Sequence, residues 1–135
     1  DQPRSRGLGD VYKRQALDNG RKHSIIVDLP ENLGGTDLGP TALELAVMAL
    51  AGCITTIFSI VAKKMRLEFE ELETTVEAEK GEVTIEKCTL TLKVKTKAPK
   101  EVIERAWRTT WKNCPVGVLF EKAGVKVEHK IEILS

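Results

Sequence analysis

Residues 45–62, LAVMALAGCITTIFSIVA, run for 18 positions without a charged side chain. A stretch that is apolar on every face folds either as a helix buried on all sides or as a membrane span. At this length it sits at the lower limit for crossing a bilayer. Gly52, Cys53, Thr55, Thr56 and Ser59 in its middle, and the polar, strand-patterned remainder that needs a core, favour the buried helix. Thr41 and Glu44, directly after Pro40, have capping-box spacing: the threonine oxygen accepts an amide hydrogen of the first turn while the carboxylate reaches back. A helix therefore starts here, and Lys63 and Lys64 close it.

Around this helix the pattern is mostly that of strands. Residues 21–29, RKHSIIVDL, read as a strand ended by Pro30 and the turn-rich ENLGGTDLGP. Leu72, Thr74, Val76 and Ala78 alternate with polar neighbours as a half-buried strand, and Lys80-Gly81 turns the chain. In the next strand Val83 and Ile85 occupy odd positions but Cys88, Leu90, Leu92 and Val94 even ones, so the inward face switches; a β-bulge near Glu86-Lys87 accomplishes that. Pro99 opens a second helix with Val102, Ile103, Ala106, Trp107, Thr110 and Trp111 in one stripe. After Asn113-Cys114-Pro115 a short helix over 116–122 stops at Gly124, and Val125, Val127, His129, Ile131 and Ile133 alternate as a last strand.

The first fifteen residues have no such logic. Residues 10–15, DVYKRQ, spell one reading frame of a transposon mosaic-end sequencing adaptor, and DQPRSRGLG before them shows no apolar period, cap or turn signal. Residues 1–15 are accordingly read as a non-native segment that replaces one or more native N-terminal strands, and 16–135 as the domain; the alternative is a disordered natural N-terminus. Setting the segment aside removes Arg4, Arg6, Lys13 and Arg14 against Asp1 and Asp10, which takes the net charge from +1 to −1. A near-neutral chain with no basic cluster interleaved with aromatics offers no field for nucleic acid. About 120 residues form one domain near the size at which oligomerisation often completes the core.

Three cysteines, Cys53, Cys88 and Cys114, lie far apart without a CxxC pair or a secretory signal, which argues against a disulfide scaffold or a zinc knuckle and for a reducing cytoplasm. Cys114 precedes Pro115 and so takes the N-cap of the short helix, where unpaired amides and the helix dipole favour a thiolate; the alternative is a thiol that merely tolerates a helix start. Cys53, in the apolar helix, is silenced by burial unless a cation or donors line its site, and on its own reads as a small core residue. Cys88 shares the parity of Leu90, Leu92 and Val94 and reads as structural.

GPTALELAVMALAGC (residues 39–53), followed some sixty residues later by NCPVGVLFEKAGV (residues 113–125), resembles the paired signature of the OsmC/Ohr family of osmotically inducible and organic-hydroperoxide-resistance proteins. The resemblance covers the chain from Asn19 onward. It implies an α+β fold in which antiparallel sheets of two intertwined chains wrap long buried helices. It also implies a thiol peroxidase site in which Cys53 matches the peroxidatic cysteine and Cys114 the resolving one, with an organic hydroperoxide as substrate, a dithiol as reductant, and no cofactor, metal or membrane. In the family's peroxidase branches an arginine from an N-terminal loop and a glutamate just before the buried helix set the charge beside the reactive sulfur. Here the glutamate position falls on Leu43. Glu44, one residue on, is nine residues from Cys53, about 180° around and about 13 Å along an ideal helix. The arginine position falls upstream of Asn19, which leaves Arg21 as the nearest candidate.

Two functions follow from these residues. The first is an organic hydroperoxide reductase working through a Cys53 sulfenic acid resolved by Cys114. The second is a non-catalytic dimer whose apolar interface binds a small ligand. A metal held by Cys53, Cys114 and the inward-facing His129 lacks a close-spaced ligand pair, and a lone inward histidine is more often part of the sheet.

Overall fold

A capping box opens the longest element of the protein, and it forms as the sequence dictates. In the computed structural model, which describes residues 3–9 and 14–135, the Thr41 N–H donates to Glu44 Oε1 (2.8 Å) and the Glu44 N–H to Thr41 Oγ1 (3.1 Å). They start helix α1, Ala42–Lys64. Among the described residues this is the one helix long and apolar enough to cross a membrane. The chain divides into two compact units, Asp1–Ala46 and Val47–Ser135.

The first unit carries an antiparallel sheet of β1 (Arg6–Gly9), β2 (Gln15–Asp18) and β3 (Ser24–Val27), in that order. Two of these strands involve the segment set aside on sequence grounds; its residues 1, 2 and 10–13 lie outside the described residues. β1 is exposed throughout and joins by backbone pairing, which needs no apolar pattern. The strand expected over 21–29 is shorter, because Asp18 Oδ1 accepts the Gly20 N–H and Asn19 Oδ1 the Arg21 N–H, both at 3.0 Å, which fixes a turn through Arg21.

Asp28 organises the loop between β3 and α1. Its side chain is 3% exposed. Oδ1 accepts from the Leu29 N–H (2.7 Å), and Oδ2 from the Thr36 hydroxyl (2.6 Å), the Leu38 N–H (3.1 Å) and the Thr36 N–H (3.3 Å). Burial alone raises such a carboxyl, but these donors outweigh it and hold the pKa down to about 2. A carboxyl depressed from 3.8 to about 2 in the native state adds stability above 3.8 that is lost as the pH falls through about 2. The urea midpoint should therefore drop on acidification across that window, and Asp28→Asn should flatten the drop.

The second unit is built on a sheet ordered β4 (Glu71–Lys80), β5 (Ile85–Lys95), β6 (Lys126–Leu134). β4 and β5 are antiparallel. Glu79 pairs with Lys87 and Lys80 with Ile85, so Glu86 is the extra residue that switches the inward face from Ile85 to Cys88, as the parity required. Cys88, Leu90, Leu92 and Val94 are fully buried. Against the expectation of antiparallel sheets throughout, β6 joins β5 in parallel, because α2 (Lys100–Asn113) and α3 (Pro115–Lys122) form a crossover between them. From α1, Leu50, Ile54, Phe58, Val61 and Ala62 enter the core, and Thr55 Oγ1 lies 2.9 Å from Thr74 Oγ1 of β4. Ile103, Ala106, Trp107 and Thr110 form the buried face of α2.

Candidate functional site

Cys114 sits where two helices meet because proline follows it. Pro115 disfavours helical backbone in the residue before it and has no N–H of its own, so α2 ends at Asn113 and α3 begins with proline at its first position. Cys114 is extended (φ −83°, ψ 109°) and is the N-cap of α3; its Sγ accepts the Gly117 N–H at 3.4 Å. Cys53 projects from the middle of α1 and is half-buried, whereas Cys114 is fully buried. The two sulfurs, 61 residues apart in sequence, lie 3.1 Å apart, with the Cys114 S–H donating to Cys53 Sγ. Both are free thiols. A disulfide needs about 2.05 Å between sulfurs, so closing this one takes about 1 Å of side-chain movement and no rearrangement of the helices.

The electrostatics of Cys114 differ from the sequence expectation. The cap forms, and the Gly117 and Val116 amides do favour the thiolate, but burial and then the hydrogen bond to Cys53 oppose them and push the thiol up to about 11. Burial is a tertiary property, and it outweighs the helix terminus here. Cys114 thus keeps its proton at neutral pH and presents it to Cys53. Cys88 is also raised by burial, and its position among Leu90, Leu92 and Val94 on β5 is that of a core residue.

The two supporting residues belong to the first unit. Glu44 is engaged at the Thr41 amide, which accounts for its carboxylate as a cap. Arg21 is exposed in the β2–β3 turn and lines an open cavity of about 580 Å³ with Arg4, Arg6, Lys22 and His23. Arg14 was set aside with the N-terminal segment, yet it is half-buried and lines a second cavity, of about 320 Å³, with Val27, Asp28 and Ala42. A single arginine in a stretch without periodicity carries no sequence signal that marks it.

His129 lies on the helix-facing side of β6, as its parity implies, but stays exposed because β6 is an edge strand of its sheet. Its Nδ1 accepts the Trp107 Nε1–H at 3.1 Å, and its ring meets the rings of Trp107 and Trp111 at 5.2 and 4.5 Å between centroids. Partial desolvation of the imidazole against the two indoles lowers its pKa more than the nearby Glu121 carboxylate raises it. Among the described residues no group of three or more His, Cys, Asp or Glu side chains could hold a metal; the ring contacts of His129 are with the two tryptophans.

Solved structures share the fold at low identity. An OsmC-like protein from Mycoplasma pneumoniae superposes with a TM-score of 0.90 at 12% identity, over 100% of this chain and 99% of that one. An organic hydroperoxide resistance protein from Elizabethkingia anophelis gives 0.78 at 14%, over 98% and 96%. The organic hydroperoxide resistance protein OhrB of Bacillus subtilis gives 0.63 at 22%, over 98% of each chain. No curated protein matches the chain significantly. The family model described as OsmC-like protein matches residues 35–130, most of the chain and both cysteine motifs. The chain belongs to the OsmC/Ohr family of OsmC-like proteins.

Proposed function

We propose that the protein is a thiol peroxidase for organic hydroperoxides in which Cys53 is the attacking sulfur and Cys114 the resolving one. The observation that supports this most is the 3.1 Å approach of two free thiols from distant parts of the sequence. In the proposed cycle the Cys53 thiolate attacks the outer peroxide oxygen, the O–O bond breaks, and the alcohol leaves with a proton. Cys53 is then a sulfenic acid. The Cys114 sulfur displaces its hydroxyl, which leaves as water with the Cys114 proton, and a disulfide forms. A dithiol reduces that bond by two exchange steps, and both cysteines return to thiols. No cofactor or metal takes part.

The apolar run that carries Cys53 suits an alkyl chain better than hydrogen peroxide, and the names of the relatives from E. anophelis and B. subtilis support the same substrate class. The working form in this reading is a homodimer in the cytoplasm. Met48 and Ile60 of α1 are 55% and 46% exposed, and Gly52 between them has open space where a Cβ would stand; a second copy of the chain would cover this face.

Cumene hydroperoxide should consume the protein's thiols at least tenfold faster than hydrogen peroxide does, and a dithiol should restore them. Equal rates with the two peroxides, or no thiol loss, would contradict the reading and favour the ligand-binding dimer. Gly52→Leu, whose added Cβ has open space within 4 Å beyond its own turn of helix, should separate the dimer in sedimentation.

A further inference from the structure

Gly117 has no conformational reason to be glycine. It lies in the first turn of α3 with ordinary helical backbone, where glycine is destabilising by about 0.5–1 kcal/mol relative to alanine. Its neighbour supplies the reason. A Cβ on Gly117 would stand 2.8 Å from Cζ3, 3.1 Å from Cη2 and 3.2 Å from Cε3 of the Trp111 indole, so the six-membered ring lies directly on the Gly117 backbone. Trp111 is in the last turn of α2, on the other side of Cys114.

The indole is itself held in place. The Trp107 ring stacks on it at 6.1 Å and 25°, and the His129 ring stands against it at 4.5 Å and 67°. His129 is in turn fixed by the hydrogen bond from Trp107 Nε1–H. On the far side of the indole, the Gly117 N–H points at Cys114 Sγ, which meets Cys53 Sγ. One line of contacts therefore runs from β6 through α2 and α3 to the sulfur pair. Its weakest link is the 3.4 Å N–H to sulfur contact, since sulfur is a weak acceptor.

We infer that Trp111 and Gly117 are positioning residues for Cys114: the indole seats the first turn of α3 so that the Gly117 amide supports the Cys114 sulfur as it gives up its proton to bond with Cys53. The inference rests on the reading of Cys53 and Cys114 as a redox pair. It assigns the two residues to the resolving step, in which Cys114 loses a proton, the Cys53 sulfenic acid loses its hydroxyl and water leaves. The peroxide step at Cys53 is outside their reach.

The test is the pH titration of Cys114, read by NMR of its 13C-labelled Cβ, which needs no reagent to enter the core, together with the lifetime of the Cys53 sulfenic acid trapped by dimedone. A hydrogen bond to a charged group accounts for about a tenfold effect. In Gly117→Ala the Cys114 profile should move up by about one pH unit, and the sulfenic acid should last about tenfold longer while hydroperoxide consumption in the first turnover stays the same. The double variant Trp111→Leu/Gly117→Ala, whose methyl enters the space the indole leaves, should recover most of both losses. An unchanged Cys114 profile in Gly117→Ala, or a double variant as impaired as the single one, overturns the proposal. Should Gly117→Ala fail to fold, Trp111→Leu vacates the seat without a clash; an upward shift of its profile supports the proposal and an unmoved profile overturns it. A wild-type chain that ignores hydroperoxides would defeat the peroxidase reading alone, because the Cys114 titration needs no peroxide.

Discussion

Cys53→Ser should abolish hydroperoxide consumption, the largest single effect expected of any substitution in this chain. A serine hydroxyl is not ionised near neutral pH and forms no sulfenic acid, so the attacking atom is lost while the helix around it changes little. Cys114→Ser should behave differently. It leaves Cys53 able to take the peroxide oxygen but removes the sulfur 3.1 Å away that resolves the product. One equivalent of hydroperoxide should be consumed and a sulfenic acid should accumulate, detectable as a dimedone adduct on the peptide containing Cys53. Cys88→Ser should leave consumption unchanged and lower stability by about 1–3 kcal/mol, because it puts a hydroxyl among Leu90, Leu92 and Val94 without a partner. Consumption that survives Cys53→Ser, or depends on Cys88, would assign the chemistry to another sulfur.

The second large effect is expected in the Asp28 loop. A Cβ on Gly35 would overlap the Leu29 carbonyl, and the residue after it, Thr36, gives Asp28 both its hydroxyl and its N–H. Gly35→Ala must therefore displace backbone, and with it hydrogen bonds to a buried carboxylate, at a cost of about 2–4 kcal/mol. Gly34→Ala provides the contrast: its φ of +90° strains an alanine, but nothing lies within 4 Å of the added carbon, so about 1 kcal/mol is expected. Urea unfolding of the two variants should rank them in that order. A Gly35→Ala midpoint at or above that of Gly34→Ala would mean that the loop accommodates the methyl.

The long helix and its capping box were readable because both depend on residues close in sequence. The bulge at Glu86 was readable from parity alone, since a two-residue period leaves no other way to bury both Ile85 and Cys88. β1 was not readable: its four residues are all exposed and joined to β2 by backbone and one Arg6–Asp18 ion pair, so no apolar pattern records the strand. The parallel pairing of β6 depends on where the α2–α3 crossover returns the chain. At the candidate site, sequence marked Cys114 as an N-cap but not the direction of its pKa, because burial comes from the assembled core and overrides the helix terminus. Spacing likewise gave no reason for Cys53 and Cys114 to meet; the resemblance to the family paired them, and the fold brings them into contact. The indole packed on Gly117 escaped notice because a glycine inside a helix start has no periodicity to violate.

The central claim is that Cys53 and Cys114 are partners in a redox cycle. It is tested most directly by treating the reduced protein with one equivalent of cumene hydroperoxide and mapping its peptides without reduction. The account predicts a single intrachain Cys53–Cys114 disulfide with Cys88 still a free thiol; three free thiols, or a disulfide that includes Cys88, would contradict it.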